Sequence, residues 1–347
     1  MQALMILGVS SSLTSCQDIL GEWDKPTSTV TPPSSDTEEP SDTYRVYTAT
    51  NTYTPEPIGD APLLSGTITG NLSGGKYVVR GTATCAGNLI FTDNAELILC
   101  DGAELTVNGT IFAGEDGAGN PTYAYSLSIY GQESGTGTLT INSAGANYDL
   151  VVDKLEIHGG TITATNADQA IETGTDLIMY NGTLTTTGVY NGIEALGNMY
   201  VYGGTITASA SNPTRMGIEV GSNLTINDGI ITSTGGNGVD GNGEGGPGIA
   251  CPTITIDGGT VTATGGNAAG DSNDDGGAGI SSTTLTANGG TITAYGGTKI
   301  GAGDDGLGIT GGITLSGVTM YEDDDPNPAA VAASQTTCSK RYVIIKN

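Results

Sequence analysis

The chain is poor in several things at once, and each shortage removes a class of function. Only ten of its 347 residues are Lys or Arg, against 37 Asp or Glu, giving a formal net charge of −27. Such a surface repels polyanions, so nucleic acid is excluded as a natural partner. The five cysteines, Cys16, Cys85, Cys100, Cys251 and Cys338, contain no CxxC pair and no Cys/His set, which excludes a structural zinc site. They are also too few and too dispersed for a disulfide framework. Cys85 and Cys100 stay open to two readings, a bridge between adjacent coils or two small buried apolar residues. The one histidine, His158, has no nucleophile beside it in the repeat register described below. No stretch shows helical periodicity, and no apolar run is long enough to span a bilayer.

Glycine is abundant instead, with 57 residues, and it punctuates a repeat. The cassette reads LEIHGGTITAT from Leu155, LIMYNGTLTTT from Leu177, MYVYGGTITAS from Met199 and LTINDGIITST from Leu224. It continues as ITIDGGTVTAT from Ile254, LTANGGTITAY from Leu285 and a worn ITLSGVTMYED from Ile313. Lead-ins such as Ile171-Glu172, Ile193-Glu194 and Ile218-Glu219 recur at roughly 20 to 30 residues, a solenoid period. Apolar residues alternate within each cassette, as in a half-buried strand, and glycine supplies the corners. A single coil cannot bury its apolar face, whereas stacking at about 4.8 Å pairs each strand with its equivalent and joins the inward residues into a column. The expected fold class is therefore all-β, a right-handed parallel β-helix. Residues 66–148 keep the grammar without the clean cassette and read as irregular first coils. Lys340 to Lys346 reads as a charged strand capping the open end. The expected domain runs over 61–347.

Stacking turns cassette positions into outward columns. The position before the glycine pair carries Tyr130, His158, Tyr180 and Tyr202, then Asn227, Asp257, Asn288 and Ser316; Tyr200 stands two places before Tyr202. Aromatic faces with phenolic hydroxyls suit a sugar ring, so Tyr130, His158, Tyr180, Tyr200 and Tyr202 form a candidate carbohydrate-binding patch. A ladder of exposed aromatics that merely favours strand formation is the plainer alternative. A second column, Glu172, Glu194 and Glu219, stacks carboxylates that repel unless protons, solvent or a cation intervene; calcium is the candidate ligand. Asp240, Glu244, Asp271, Asp274, Asp275, Asp304 and Asp305, set in glycine-rich loops, are its rival. Both loop motifs depart from known calcium signatures, with Ser282 where an EF-hand places its bidentate Glu and Asn242 where the calcium nonapeptide has a large apolar residue.

An enzyme is disfavoured. A lyase needs Arg or Lys beside calcium-binding aspartates on a strand face, and Arg80, Lys154, Arg215 and Lys299 fall beside no such cluster in the register. Hydrolysis needs paired carboxylates facing a groove, whereas the paired aspartates sit in loops.

At the amino terminus, Ala3 to Val9 is a short apolar run followed by Leu13-Thr14-Ser15-Cys16, which resembles a bacterial lipoprotein signal with its lipobox. Residues 1–16 would be the signal, Cys16 the lipidated residue and 17–60 a Pro/Ser/Thr-rich linker. Asp18, Glu22 and Asp24 resemble a surface-export flank. With the GGTITAT cassettes and LILCDGAELTVNG, the chain resembles surface lipoproteins of gut Bacteroidetes. More loosely, 66–320 is similar to calcium-associated right-handed β-helix domains that bind acidic plant polysaccharide. The resemblance implies an outer-membrane protein held by lipid alone, non-catalytic, binding polysaccharide with calcium. An adhesin or spacer that contacts a protein partner is the alternative, and a polysaccharide lyase the third reading.

Overall fold

Alternating apolar residues with glycine corners build short strands, and these find their partners in neighbouring coils rather than within their own. The computed structural model describes residues 42–165, 167–239, 243–270, 274–324 and 336–347. The lipobox with Cys16, most of the linker, and Asp240 and Asp271 lie outside the described residues. The described residues contain no helix, and 29 strands form one continuous sheet wound into a parallel β-helix.

Three faces recur in each coil. The first carries the cassette start, where Leu155 pairs with Leu177, Met199 with Leu224 and Ile254 with Leu285. The second carries the Thr-x-Thr strand, with Thr161, Thr183, Thr205, Ile230, Thr260 and Thr291 in one row. The third carries the lead-in, with Ile171, Ile193, Ile218, Ile249, Ile280 and Ile309 stacked in order. Pairing is parallel throughout these rows, so residues 22 to 31 apart in sequence become direct neighbours. Leu155 and Ile157 from the first face, Ile162 and Ala164 from the second and Ile171 from the third are fully buried, so all three faces contribute to a core that runs the length of the coil. The early coils obey the same register, Leu97 pairing with Ile129 and Leu105 with Leu139. Cys85 and Cys100 are separate free buried thiols; Cys85 sits on the second face opposite Val107 and donates to the Asn88 carbonyl at 3.4 Å.

Three features depart from expectation. First, part of the expected linker is folded. Thr43–Tyr47 and Tyr53–Pro57 form an antiparallel hairpin, with Asn51 at its tip in the left-handed region (φ 54°) that asparagine tolerates. Pro55 and Pro57 suggested an unstructured tether, but they lie on an edge strand, where a missing N–H costs no ladder bond.

Second, the closing strand is not a lid across the end. Tyr342–Lys346 is inserted antiparallel into the second face, between Thr291–Tyr295 and Thr319–Asp323, with Ile345 opposite both Ile292 and Met320. Before it, the Thr336 carbonyl accepts the Ile313 N–H at 2.7 Å, so the tail covers one face and enters another.

Third, the glycine-rich late loops are not merely solvated turns. Their outgoing and returning arms interleave in a backbone stack: Gly246 donates to Gly236, Gly266 to Gly246, Gly277 to Gly266, Gly297 to Gly277 and Gly306 to Gly297, at 2.8–2.9 Å. A Cβ on Gly266 would collide with the Gly236 carbonyl, so close approach, not a turn, demands glycine there.

Candidate functional site

Register on the first face places the predicted aromatic column where expected. Tyr130 and His158 stack at 4.6 Å between ring centroids, His158 and Tyr180 at 4.4 Å, and Tyr180 and Tyr202 at 5.3 Å, with interplanar angles of 14–19°. These spacings follow the coil rise, so successive rings use their faces on one another.

The column differs from expectation in who covers it. The hairpin lies along it and crosses the stacked coils. Tyr44 packs edge-on against Tyr130 at 4.8 Å, the Tyr47 N–H donates to His158 Nδ1 at 3.0 Å, and Asn51 reaches Gly203. Polar ties secure it: Gln132 Nε2 donates to the Thr43 carbonyl at 3.1 Å, Lys76 Nζ to the Tyr44 hydroxyl at 2.8 Å, and Arg45 pairs with Glu133 at 3.3 Å. Tyr130 and His158 are consequently 7% and 4% exposed, so their ring faces are not open for a sugar to stack on. Burial raises the Tyr130 phenol well above its ordinary value and lowers the His158 imidazole from 6.5 to about 4, the latter against the pull of Glu156.

Tyr180, Tyr200 and Tyr202 remain half-buried. Tyr200 and Tyr202 leave one strand two residues apart, with rings 6.4 Å apart and 4° from parallel. Because Tyr202 also stacks under Tyr180, the pair forms a side-by-side aromatic shelf across the coil axis. The following coil puts Thr225 opposite Tyr200 and Asn227 after it. Both are shorter than a phenol, so the outer parts of the two rings overhang the next coil. Beyond the shelf the column becomes polar, with Asn227 and Asn288 donating to Asp257 at 3.4 and 2.8 Å.

The carboxylate column is also in register, Glu172 beside Glu194 and Glu194 beside Glu219. Sequence reasoning missed what separates the carboxylates. Gln169 Nε2 donates to both Glu172 and Glu194, and Asn191 Nδ2 donates to Glu194 at 3.0 Å and Glu219 at 2.7 Å. Amide donors thus stand where a cation was expected. The signal was present in the lead-ins, since Gln169 and Asn191 each precede their glutamate by three residues. Burial, and next the charge of Glu194, push the Glu172 carboxyl up from 4.5 to about 7 and raise Glu219. In the late loops Asp275 accepts the Asp304 N–H at 2.6 Å and Asp305 the Lys299 N–H at 2.8 Å, tying turns together. Among the described residues no three Asp, Glu, His or Cys side chains converge as a metal-binding group.

No protein-family model matches this chain, and neither a curated protein nor a solved structure does. Two places stand out: the tyrosine shelf, and a groove of about 370 Å³ between the hairpin and the corner row of Gly159, Gly160, Asn181 and Gly204.

Proposed function

We propose that the protein is a non-catalytic glycan-binding β-helix whose contact surface is the shelf of Tyr180, Tyr200 and Tyr202. The observation that carries this reading is the side-by-side pair Tyr200 and Tyr202, overhanging a coil of shorter side chains. A pyranose has an apolar face and a rim of hydroxyls, and two parallel phenols supply a flat partner with hydroxyls at its edge. The net charge of −27 favours a neutral glycan over an acidic one. With Gln169 and Asn191 serving the glutamate column, we assign no part of this contact to calcium. Attachment to the outer membrane through lipid on Cys16 belongs to the same proposal and rests on the lipobox-like Leu13-Thr14-Ser15-Cys16.

The test is binding to a panel of neutral and acidic polysaccharides, in calcium and in chelator. Tyr200→Ala with Tyr202→Ala should weaken binding by about tenfold, since aromatic contacts contribute roughly 0.5–1.5 kcal/mol each. Equal affinity in the double variant would remove the shelf as the contact. A second reading, adhesion to a protein, is favoured by Val189 and Tyr190, 37% and 38% exposed, with the Arg215 guanidinium 4.6 Å over the Tyr190 ring. Capture of a host surface protein that is lost in Tyr190→Ala would select it.

A further inference from the structure

The groove on the hairpin's flank has the make-up of a built site. Its floor is the corner row, where glycines leave bare backbone, and its far wall is the hairpin with Arg45 and Tyr47. His158 borders it and is 4% exposed. Its Nδ1 accepts the Tyr47 N–H at 3.0 Å, which fixes the neutral tautomer with the proton on Nε2. That Nε2–H makes no hydrogen bond among the described residues and is not closed off from solvent, so it can donate to a group bound in the groove. Burial holds the ring neutral across the physiological range.

The mouth carries complementary groups. The Arg45 guanidinium is held 4.2 Å over the Tyr53 ring, 3.4 Å from the Tyr47 hydroxyl and 3.3 Å from Glu133. The Glu133 side chain is 77% exposed, so its oxygens are reachable as acceptors. Asn181 adds an amide with both capacities. Closely spaced donors and acceptors around a bare floor match a polyhydroxyl ligand, and a volume of about 370 Å³ lies at the small end of the ~300–1,000 Å³ typical of ligand sites. Glu133 already answers the charge of Arg45, which leaves no unmatched cation for an acidic group.

We propose that this groove is a second sugar site, taking one neutral pyranose residue whose hydroxyls accept from His158 Nε2–H and Arg45 and donate to Glu133 and Asn181. The proposal rests on the glycan-binding reading and makes the hairpin a wall of the site. Without residues 43–57 the site does not exist.

Because the chain has one histidine, its imidazole gives a single pair of nitrogen resonances, a clean reporter of the groove. The full chain, labelled with ¹⁵N, is titrated with six-residue β-linked glucose, xylose and mannose oligomers, and with polygalacturonate as the charged comparison. At least one neutral oligomer should shift Nε2 saturably while Nδ1 stays an acceptor. Arg45→Ala and Asn181→Ala should each weaken the affinity read at Nε2 at least fivefold, with an unchanged Nδ1 signal showing that the hairpin is still seated. The shelf variant Tyr200→Ala with Tyr202→Ala should keep the His158 response. Calorimetric binding of an oligomer with a silent Nε2 overturns the groove and leaves the shelf standing. A shift by polygalacturonate alone overturns the neutral class. Absence of binding by both readouts overturns the glycan reading itself.

Discussion

Two buried groups with opposite proton preferences should tilt stability in opposite directions with pH and offset one another's contribution across a shared window. Glu172 faces Glu194 and Gln169, and its folded pKa rises from 4.5 to about 7. The folded state therefore holds this proton more tightly, and the associated stability, fully present below pH 4.5, is lost as pH rises to 7. His158 faces Tyr130, Tyr180 and the Tyr47 N–H, with Glu156 and Lys154 nearby, and its folded pKa falls from 6.5 to about 4. Here the unfolded chain binds the proton more tightly, so stability is lost as pH falls from 6.5 to 4. At about 1.4 kcal/mol per pH unit each effect is worth roughly 3–4 kcal/mol at most, with opposite signs that overlap between pH 4.5 and 6.5. Urea unfolding of the wild type, Glu172→Gln and His158→Gln at pH 4–8 separates them. Relative to wild type, Glu172→Gln should gain stability as pH rises from 4.5 to 7. His158→Gln, whatever fixed loss its stacking causes, should gain as pH falls from 6.5 to 4. Differences that stay constant across the window would refute the assignment of both groups as buried and proton-selective.

Other outcomes follow from the fold. Gly266→Ala drives a Cβ into the Gly236 carbonyl and should lower the melting temperature far more than Gly87→Ala, where a Cβ meets open space. Truncation after Arg341 removes Val343 and Ile345, both fully buried, at roughly 1.5–3 kcal/mol each, and should cause aggregation detectable by light scattering. Deleting residues 43–57 should leave the far-ultraviolet spectrum of the β-helix in place, raise the His158 pKa toward 6.5 and expose Tyr130 to iodination.

Most of the fold was legible because one cassette states the same alternation repeatedly, and a parallel stack is the arrangement that puts Ile171 over Ile193 over Ile218. The columns were legible for the same reason. The hairpin was not, because Thr43–Tyr47 and Tyr53–Pro57 occur once, and Pro55 and Pro57 read as linker without knowledge that the second strand is an edge. The exposure of Tyr130 and His158 was misjudged in consequence, since an outward direction in the repeat says nothing of a non-repeating segment laid across it. The glycine stack was hidden because its bonds alternate between the two arms of one loop, as Gly277 to Gly266, and the arms of successive loops, as Gly297 to Gly277, and no local pattern marks them. The amides of Gln169 and Asn191 stood in plain view, but their donors matter only once Glu172, Glu194 and Glu219 are brought together.

The antiparallel insertion of Tyr342–Lys346 gives the carboxy-terminal end an uneven geometry. On the first and third faces the last coil follows its predecessor directly, while on the second an extra strand intervenes. Among the described residues the second face therefore reaches about one strand spacing, near 4.8 Å, beyond the third, while the segment at Thr336 covers Ile313 on the first. A second molecule abutting coaxially would hang clear of the third face. Fibre growth at this end is opposed by a misfit of shape, which high salt does not screen as it screens charge.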